Sequence, residues 1–392
     1  MIALSNRRTA MATSKVHDKI TCALCGAKIH AVEIHLKKEH PEMSIDEYER
    51  RFPEAPLLSD YARQLIEEKR KEKISAMKKT SDLPFFHDVF EIGLRDEAMS
   101  SVGKNPIPIH VLKRGGEGDI YIPEVNKNYV FNIKELKYIV SGVEMGIPVY
   151  IYGHKGAGKT ELVEQICART NRPLIRVQHT VNTEESQIVG QWTVRDGETK
   201  FEYGALPMAM LNGWVYLADE YDFGQPNVLA VYQAVLEGKP LVIKEAPAEM
   251  RIVKPHPDFR FFATGNTNGT GDETGLYQGT TIQNSANFDR FGIAVKKDYL
   301  SKEDEIKILV NATKVSSERA LDMVNFANSV REAFDAGKIS DTISPRTLLF
   351  ATKLGIMHAS FTLGLTLAFM NKLSTVDRET CQSFAQRIFG DE

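Results

Sequence analysis

Gly153-His154-Lys155-Gly156-Ala157-Gly158-Lys159-Thr160 is the stretch that decides the fold. An apolar run, Pro148 to Tyr152, precedes it and reads as a short buried strand. A helical pattern, Glu161 to Arg169, follows it with Leu162, Ile166 and Arg169 on one face. Strand, glycine-rich loop and helix in this order build a phosphate cradle. The glycines let backbone N–H groups close around phosphate oxygens, and the helix start adds its positive dipole end. Lys159 reaches the outer phosphates and Thr160 offers its hydroxyl to Mg²⁺. A glycine-rich turn that binds nothing would leave that register unexplained. The sequence therefore predicts a nucleoside triphosphate bound along Gly153 to Thr160. A guanine reader of the form Asn-Lys-x-Asp is missing, because Asn371-Lys372-Leu373-Ser374 lacks the acid, so the nucleotide is read as ATP.

Downstream, Pro173 to His179 is a second β-rich run and Thr183 to Gly190 a short helix. Trp192 to Tyr203 alternates around Asp196-Gly197, a hairpin signal that interrupts what should be a continuous helix. Trp192, at its base, is read as a core aromatic, with a substrate-touching role as the alternative. Trp214 to Ala218 is an apolar strand ending in Asp219-Glu220. The first carboxylate suits the Mg²⁺ shell and the second the polarisation of attacking water.

A helix over Pro226 to Leu236 and a hairpin over Leu241 to Val253 precede the strand Phe259 to Thr264, which ends at Gly265-Asn266-Thr267-Asn268. Asn266 is chosen as the polar amide facing the γ-phosphate or water, Asn268 is the alternative, and a turn-forming Asn is the bland one. In Phe288-Asp289-Arg290-Phe291, Arg290 is a candidate to reach a neighbouring subunit's γ-phosphate; the alternative is a structural ion pair with Asp289 or another nearby acid. Ser344-Pro345-Arg346 opens a helix near the C-terminus, and Arg346 is placed to couple that region to nucleotide.

Near the other end, Cys22-x2-Cys25-x9-His35-x4-His40 supplies two thiolates and two imidazoles at spacings that close a tetrahedral Zn²⁺ site. The cysteines sit on a tight Cys-Ala-Leu-Cys-Gly turn and the histidines on a helix, Ala31 to Glu39, with Glu33, Lys37, Lys38 and Glu39 outward. So short a module cannot bury enough apolar surface to fold alone, so metal supplies much of its folding free energy. Residues 60 to 80 alternate charge densely, with Leu65 and Ile74 as aliphatic anchors, and read as an exposed helical linker. Gly115-Gly116-Glu117-Gly118 reads as a mobile loop, and Tyr121 to Met145 as strand, turn and helix.

Bulk composition constrains the rest. The chain of 392 residues is 42% hydrophobic with a net charge of -3, an ordinary soluble composition. Residues 1–80 carry 16 Lys plus Arg against 12 Asp plus Glu, a weak hint of a polyanion partner. Four cysteines are too few and too oddly spaced for a secreted disulfide scaffold, and a reducing, cytoplasmic compartment fits them. Met1 to Lys19 lacks a signal peptide's apolar core and reads as a polar tail. Leu354 to Asn371 is uncharged, but His358, Ser360, Thr362, Thr366 and two glycines favour a buried helix over a membrane span.

Residues 121–350, in their order of parts, resemble an AAA+ ATPase of the MoxR group, in which both hairpins are expected. Within that group they are similar to the CobS type, the ATPase subunit of aerobic cobaltochelatases. The residues that carry this are Ile122-Pro123-Glu124-Val125, Asp219-Glu220-Tyr221-Asp222, Pro255 to Thr264, and above all Gly271-Asp272-Glu273-Thr274-Gly275-Leu276-Tyr277-Gln278-Gly279-Thr280. The resemblance implies an α/β nucleotide-binding core over 121–300, a helical lid over 301–392 and a hexameric ring with ATP at subunit interfaces. It also implies a partner carrying a von Willebrand A-type domain. Asn266 would then be sensor 1, Arg290 the arginine finger and Arg346 sensor 2. Residues 20–58 form a separate module, of which 20–56 resemble the Ros/MucR zinc finger through the nine-residue Cys25–His35 gap and the following Pro41 to Pro53, with 59–120 as linker. Such fingers contact DNA through flanking basic residues, dock proteins or serve a purely structural role, and all three readings stay open.

Overall fold

The computed structural model describes residues 19–195, 197–272 and 275–390, in two compact units, one ending at Asp82 and the other starting at Leu83. Most of the expected N-terminal tail, Asp196 of the hairpin turn, and Glu273 and Thr274 lie outside the described residues.

In the first unit, β1 (Ile20–Thr21) pairs antiparallel with β2 (Lys28–Ile29), and the turn between them carries both cysteines. Three helices follow: α1 (Val32–Glu39), α2 (Ile45–Arg51) and α3 (Asp60–Thr80). Ser44 Oγ caps α2 by accepting from Glu47 N at 3.2 Å, and Ser59 Oγ caps α3 through Ala62 N at 3.1 Å. The core beneath α1 and α2 is only Cys22, Val32, Leu36 and Tyr48 with a partly buried rim. Along α3, Ile74 is buried but Leu65 is 38% exposed, so only one of the two expected anchors is covered.

The second unit begins with α4 (Phe86–Val89) and α5 (Ile133–Met145). The strand expected near Tyr121 is not formed: Glu117–Tyr121 is a 3₁₀ turn, and Asn126 is held by Gln165 Oε1 accepting from its N–H at 2.8 Å. The glycine run before it is tied down as well, Gly115 N donating to Asp119 Oδ2 at 2.8 Å.

The central sheet is built from β3 (Val149–Tyr152), β4 (Leu174–Gln178), β7 (Val215–Asp219), β10 (Arg260–Gly265) and β11 (Ile293–Lys296), all parallel, in the order β11-β3-β10-β7-β4. Strand alternation sends Tyr150, Tyr216, Ala218, Phe261 and Ala263 into one core and Val149, Ile151, Val215, Leu217 and Phe262 into the other. Helices α5 and α6 (Lys159–Thr170) cover the second face.

On the first face, α7 (Glu185–Val189) gives way to the hairpin β5 (Gly190–Arg195) and β6 (Glu198–Tyr203), then α8 (Ala205–Asn212). The helix expected from Pro226 to Leu236 is two short pieces, α9 (Pro226–Leu229) and α10 (Gln233–Leu236), joined by a 3₁₀ turn. The second hairpin is small, β8 (Leu241–Val242) against β9 (Ile252–Val253). A single turn, α11 (Ser285–Phe288), precedes β11.

The C-terminal helices are α12 (Lys302–Thr313), α13 (Ser317–Asp335), α14 (Pro345–His358), α15 (Phe361–Ala368) and α16 (Thr375–Phe389), packed around their own core. The uncharged stretch from Leu354 is not one buried helix. It breaks at Ala359, which takes a left-handed conformation, and restarts at the Ser360 cap, leaving Met357 78% exposed. No helix among the described residues is long and apolar enough to cross a membrane.

Candidate functional site

Parallel register sets the site. Gln178 lies opposite Asp219, Ala263 opposite Ala218 and Gly265 opposite Tyr152, so β3, β10, β7 and β4 end side by side and the loops leaving them converge. The phosphate loop leaves β3 and opens α6 at Lys159. Gly156 is at φ +69°, and a Cβ there would come within 2.4 Å of Ser344 Cβ at the start of α14, so loop and C-terminal helices touch backbone to side chain. Lys155 Nζ adds an ion pair with Asp341.

Lys159 Nζ donates to Gly153 O at 2.6 Å, His154 O at 3.1 Å and Asn266 Oδ1 at 2.9 Å. Burial pushes its ammonium down to about 8, against the opposing carboxylates of Asp222, Asp219 and Glu220, in that order of influence; Arg346 lowers it further. Thr160 Oγ1 donates to Asp219 Oδ1 at 3.0 Å. Asp219, 3% exposed, also accepts from Thr264 Oγ1 and pairs through Oδ2 with Arg176 Nη2 at 2.5 Å. Glu220 turns the chain out of β7 with φ 53° and ψ 42°, left-handed for a residue with a side chain. Its N–H donates to Thr264 Oγ1 at 3.2 Å and its Oε2 accepts from Gln178 Nε2 at 2.8 Å.

Of the two asparagines considered, only Asn266 comes to Lys159. Asn268 is exposed and its Oδ1 accepts from Thr270 N at 3.3 Å and Thr270 Oγ1 at 2.6 Å, a local turn. Arg290 stays outside this cluster: its Nε donates to Glu237 Oε1 at 2.6 Å, the nearby acid being Glu237 rather than Asp289. Arg346 is exposed on the first turn of α14, close enough for its charge to depress the Lys159 ammonium. The core reading of Trp192 is corrected. The ring is 50% exposed, packs edge-on against Phe201, and donates Nε1–H to Glu245 O at 2.9 Å, clipping the hairpin to the β8–β9 segment. An indole that finds a backbone acceptor at the surface gains more there than in a core where its N–H would go unmatched.

Several residues at the site were given no site role from the sequence: Arg176 and Gln178 on β4, and, quoted only within stretches that carry the family likeness, Thr264 on β10, Asp222 after Glu220, and Tyr277, whose hydroxyl accepts from Lys155 N at 3.0 Å. Polar residues ending a β run, such as Gln178, are the only signal, and which strand they neighbour is not written locally.

In the first unit, the donor atoms of Cys22, Cys25, His35 and His40 all lie within 4.8 Å of one another, with Cys25 Sγ 3.1 Å from His35 Nε2. His40 Nε2 is buried without a hydrogen-bond partner among the described residues. Burial pushes the Cys22 thiol up, but the Cys25 and Leu24 amides together with the Cys25 and Tyr48 side chains hydrogen-bond to it, and the net shift is downward, toward thiolate. Tyr48 on α2 accepts from Ala23 N at 2.8 Å, bracing the cysteine turn. Two soft thiolates and two imidazoles so gathered fit a tetrahedral Zn²⁺.

The profile described as AAA domain (dynein-related subfamily) matches residues 148–278, and the CbbQ/NirQ/NorQ C-terminal profile matches 305–388. Aerobic cobaltochelatase subunit CobS of Sinorhizobium sp is 34% identical over 287 residues, covering 70% of this chain and 85% of CobS. The chain belongs to the CobS-type, MoxR-group AAA+ ATPases. Protein NorQ of Paracoccus denitrificans is 23% identical across 72% of this chain and 99% of NorQ, and the BssE protein of Thauera aromatica 27% identical across 67% and 88%. As an AAA+ ATPase the chain binds ATP with Mg²⁺ and hydrolyses it. Lys159, Thr160, Asp219, Glu220 and Asn266 fall inside the first matched segment and Arg346 inside the second; Arg290 lies between them, and the Cys/His cluster lies outside both.

Proposed function

We propose that this ATPase works as a homo-oligomeric ring, a hexamer, that hydrolyses ATP at seams between protomers and passes the motion to a partner protein complex. The observation that carries the hydrolysis in this reading is the convergence of Lys159, Asn266, Thr160, Asp219 and Glu220 at adjoining strand ends; the ring and its partner rest on the likeness to CobS. The loop amides from Gly153 to Lys159 cradle the phosphates and Lys159 reaches the outer ones. Thr160 and Asp219, already bonded to each other, would hold Mg²⁺, whose charge would offset the negative charge that develops on the phosphate. Glu220 polarises the attacking water and Asn266 orients it. Arg290 leaves Glu237 to reach the neighbouring protomer's γ-phosphate, and Arg346 couples the C-terminal helices to nucleotide.

Cys22, Cys25, His35 and His40 hold Zn²⁺ in a module that recruits the ring. The likeness to CobS supports a chelatase-type complex as client, with a von Willebrand A-domain protein as adaptor, and the four free cysteines support a cytoplasmic setting. A second reading, a zinc-dependent DNA-binding protein whose ATP turnover remodels a nucleoprotein complex, is supported by exposed Lys28, Lys37 and Lys38 on and beside α1. A mobility shift that is lost on zinc chelation and strengthens at low salt would favour it.

The test of the motor is a pair of variants. Glu220→Gln keeps ATP affinity within about threefold and lowers turnover on the order of 10³-fold. Arg290→Ala is inactive alone, and mixing with Lys159→Ala protomers, which still carry Arg290, restores part of the rate. Full turnover by either Glu220→Gln or Arg290→Ala alone would remove that residue from its role.

A further inference from the structure

Asp222 is fully buried two residues beyond Glu220, on the 3₁₀ turn Tyr221–Phe223 that leaves β7. A carboxylate hidden from water is held by the donors it meets, and here they all meet one oxygen, Oδ1 having no hydrogen-bond partner among the described residues. Here one oxygen, Oδ2, accepts from Asn266 N at 2.8 Å, Thr267 N at 2.9 Å and Thr267 Oγ1 at 3.1 Å. These are the donors that a strand end would otherwise leave unmatched. The same backbone is gripped from its acceptor side, Tyr150 Oη donating to Thr267 O at 2.9 Å. The fit is close: a Cβ on Gly265 would lie 1.9 Å from Tyr150 Oη and 3.1 Å from Asp222 Cγ. The returning chain ties in as well, Thr281 N donating to Asp222 O at 2.8 Å and Thr281 Oγ1 to Gly224 O at 3.0 Å. What this clamp presents is the Asn266 side chain, whose Oδ1 meets Lys159 Nζ at 2.9 Å.

We propose that Asp222 is a positioning residue for hydrolysis, its carboxylate fixing the backbone of Asn266 so that the amide stands against Lys159 and the outer phosphate. The inference rests on the reading of Asn266 given above and adds the group that aims it. Asp222 acts through Asn266 and makes no contact of its own with nucleotide. It also makes one short turn, residues 220–223, responsible both for the water-polarising carboxylate and for the amide facing it.

Steady-state turnover of the full chain tests this with Asp222→Ala, Asp222→Asn, Asn266→Ala and the Asp222→Ala/Asn266→Ala double variant. Asp222→Ala lowers kcat about 30-fold with the KM for ATP within about threefold. Asp222→Asn, which keeps an oxygen for the amides, recovers to within about fivefold of the parent. The double variant is no slower than Asn266→Ala, to within about twofold, because the two act in series. A double variant slowed by the product of the single losses, or an Asp222→Ala with parental kcat, overturns the inference while leaving Asn266 in place. Parental kcat in Asn266→Ala removes the reading of Asn266 itself, and the inference with it. Should Asp222→Ala fail to fold, Asp222→Ser and Asp222→Asn carry the same cycle.

Discussion

The Cys/His cluster and the phosphate site collect their polar groups by opposite routes. The first draws four donors from nineteen consecutive residues around a core of four buried side chains. The second draws from the ends of four strands, spread from Gly153 to Asn266, and rests on two cores that together use both faces of a five-stranded sheet. A site gathered locally is cheap to encode but needs its ion to hold the chain together. A site gathered by a sheet is preformed, because burial fixes the register before any ligand arrives.

The largest expected effect breaks the local site. A zinc-selective chelator, with Mg²⁺ in excess, removes an apparent binding free energy of about 10 kcal/mol or more, and the first unit unfolds while ATP turnover stays within about twofold. Amide hydrogen exchange over α1, recorded beside the hydrolysis rate, checks this; continued protection of α1 would show the small core suffices.

The second effect attacks the distributed architecture among the C-terminal helices. Arg331 meets Glu305 bidentately at 2.7 and 2.9 Å, with both groups buried, and its Nε donates to Ile343 O at 3.3 Å. Arg331→Ala strands the buried carboxylate and costs about 3–5 kcal/mol in urea unfolding of that region. A loss near zero would mean that Glu305 finds water instead.

The smallest effect concerns proton linkage. The Lys159 ammonium is lowered to about 8 by burial, so the free site loses that charge as pH rises through about 8, whereas an unfolded lysine keeps it to about 10.4. Phosphate restores the charged form, so ATP binding takes up a proton in this window and affinity falls with rising pH, by up to about tenfold per unit. Calorimetry in buffers of different ionisation enthalpy reads the uptake directly; pH-independent affinity between 7.5 and 9.5 would contradict it.

These two routes also explain what the sequence could disclose. The four cluster ligands, the phosphate loop and Asp219-Glu220 stand in short stretches whose chemistry is complete within themselves. Asn266 could be picked because its strand ends in a recognisable polar tip. Gln178 and Arg176 could not, since their meaning comes from β4 lying beside β7, and strand order is a property of packing. Trp192 misled because its size suggested burial, while a backbone acceptor at Glu245 satisfied its N–H at the surface. The single helix expected over Pro226 to Leu236 is instead divided: the pattern is helical, but Ala230–Tyr232 tightens to 3₁₀ between two short α-helical pieces, with Leu229, Tyr232 and Leu236 all in the core.

The left-handed backbone at Glu220 has a practical bearing on inactive variants. Replacements differ there in shape as well as in charge. Asn accepts such a bend at little cost and Gln at no more than the native Glu, whereas a branched residue such as Val or Ile would drag the end of β7 with it and disturb Asp219. A nucleotide-trapping form of the protein is therefore best made with an amide, and any inactivity seen with a branched substitute would say as much about the path of the main chain as about the missing carboxylate.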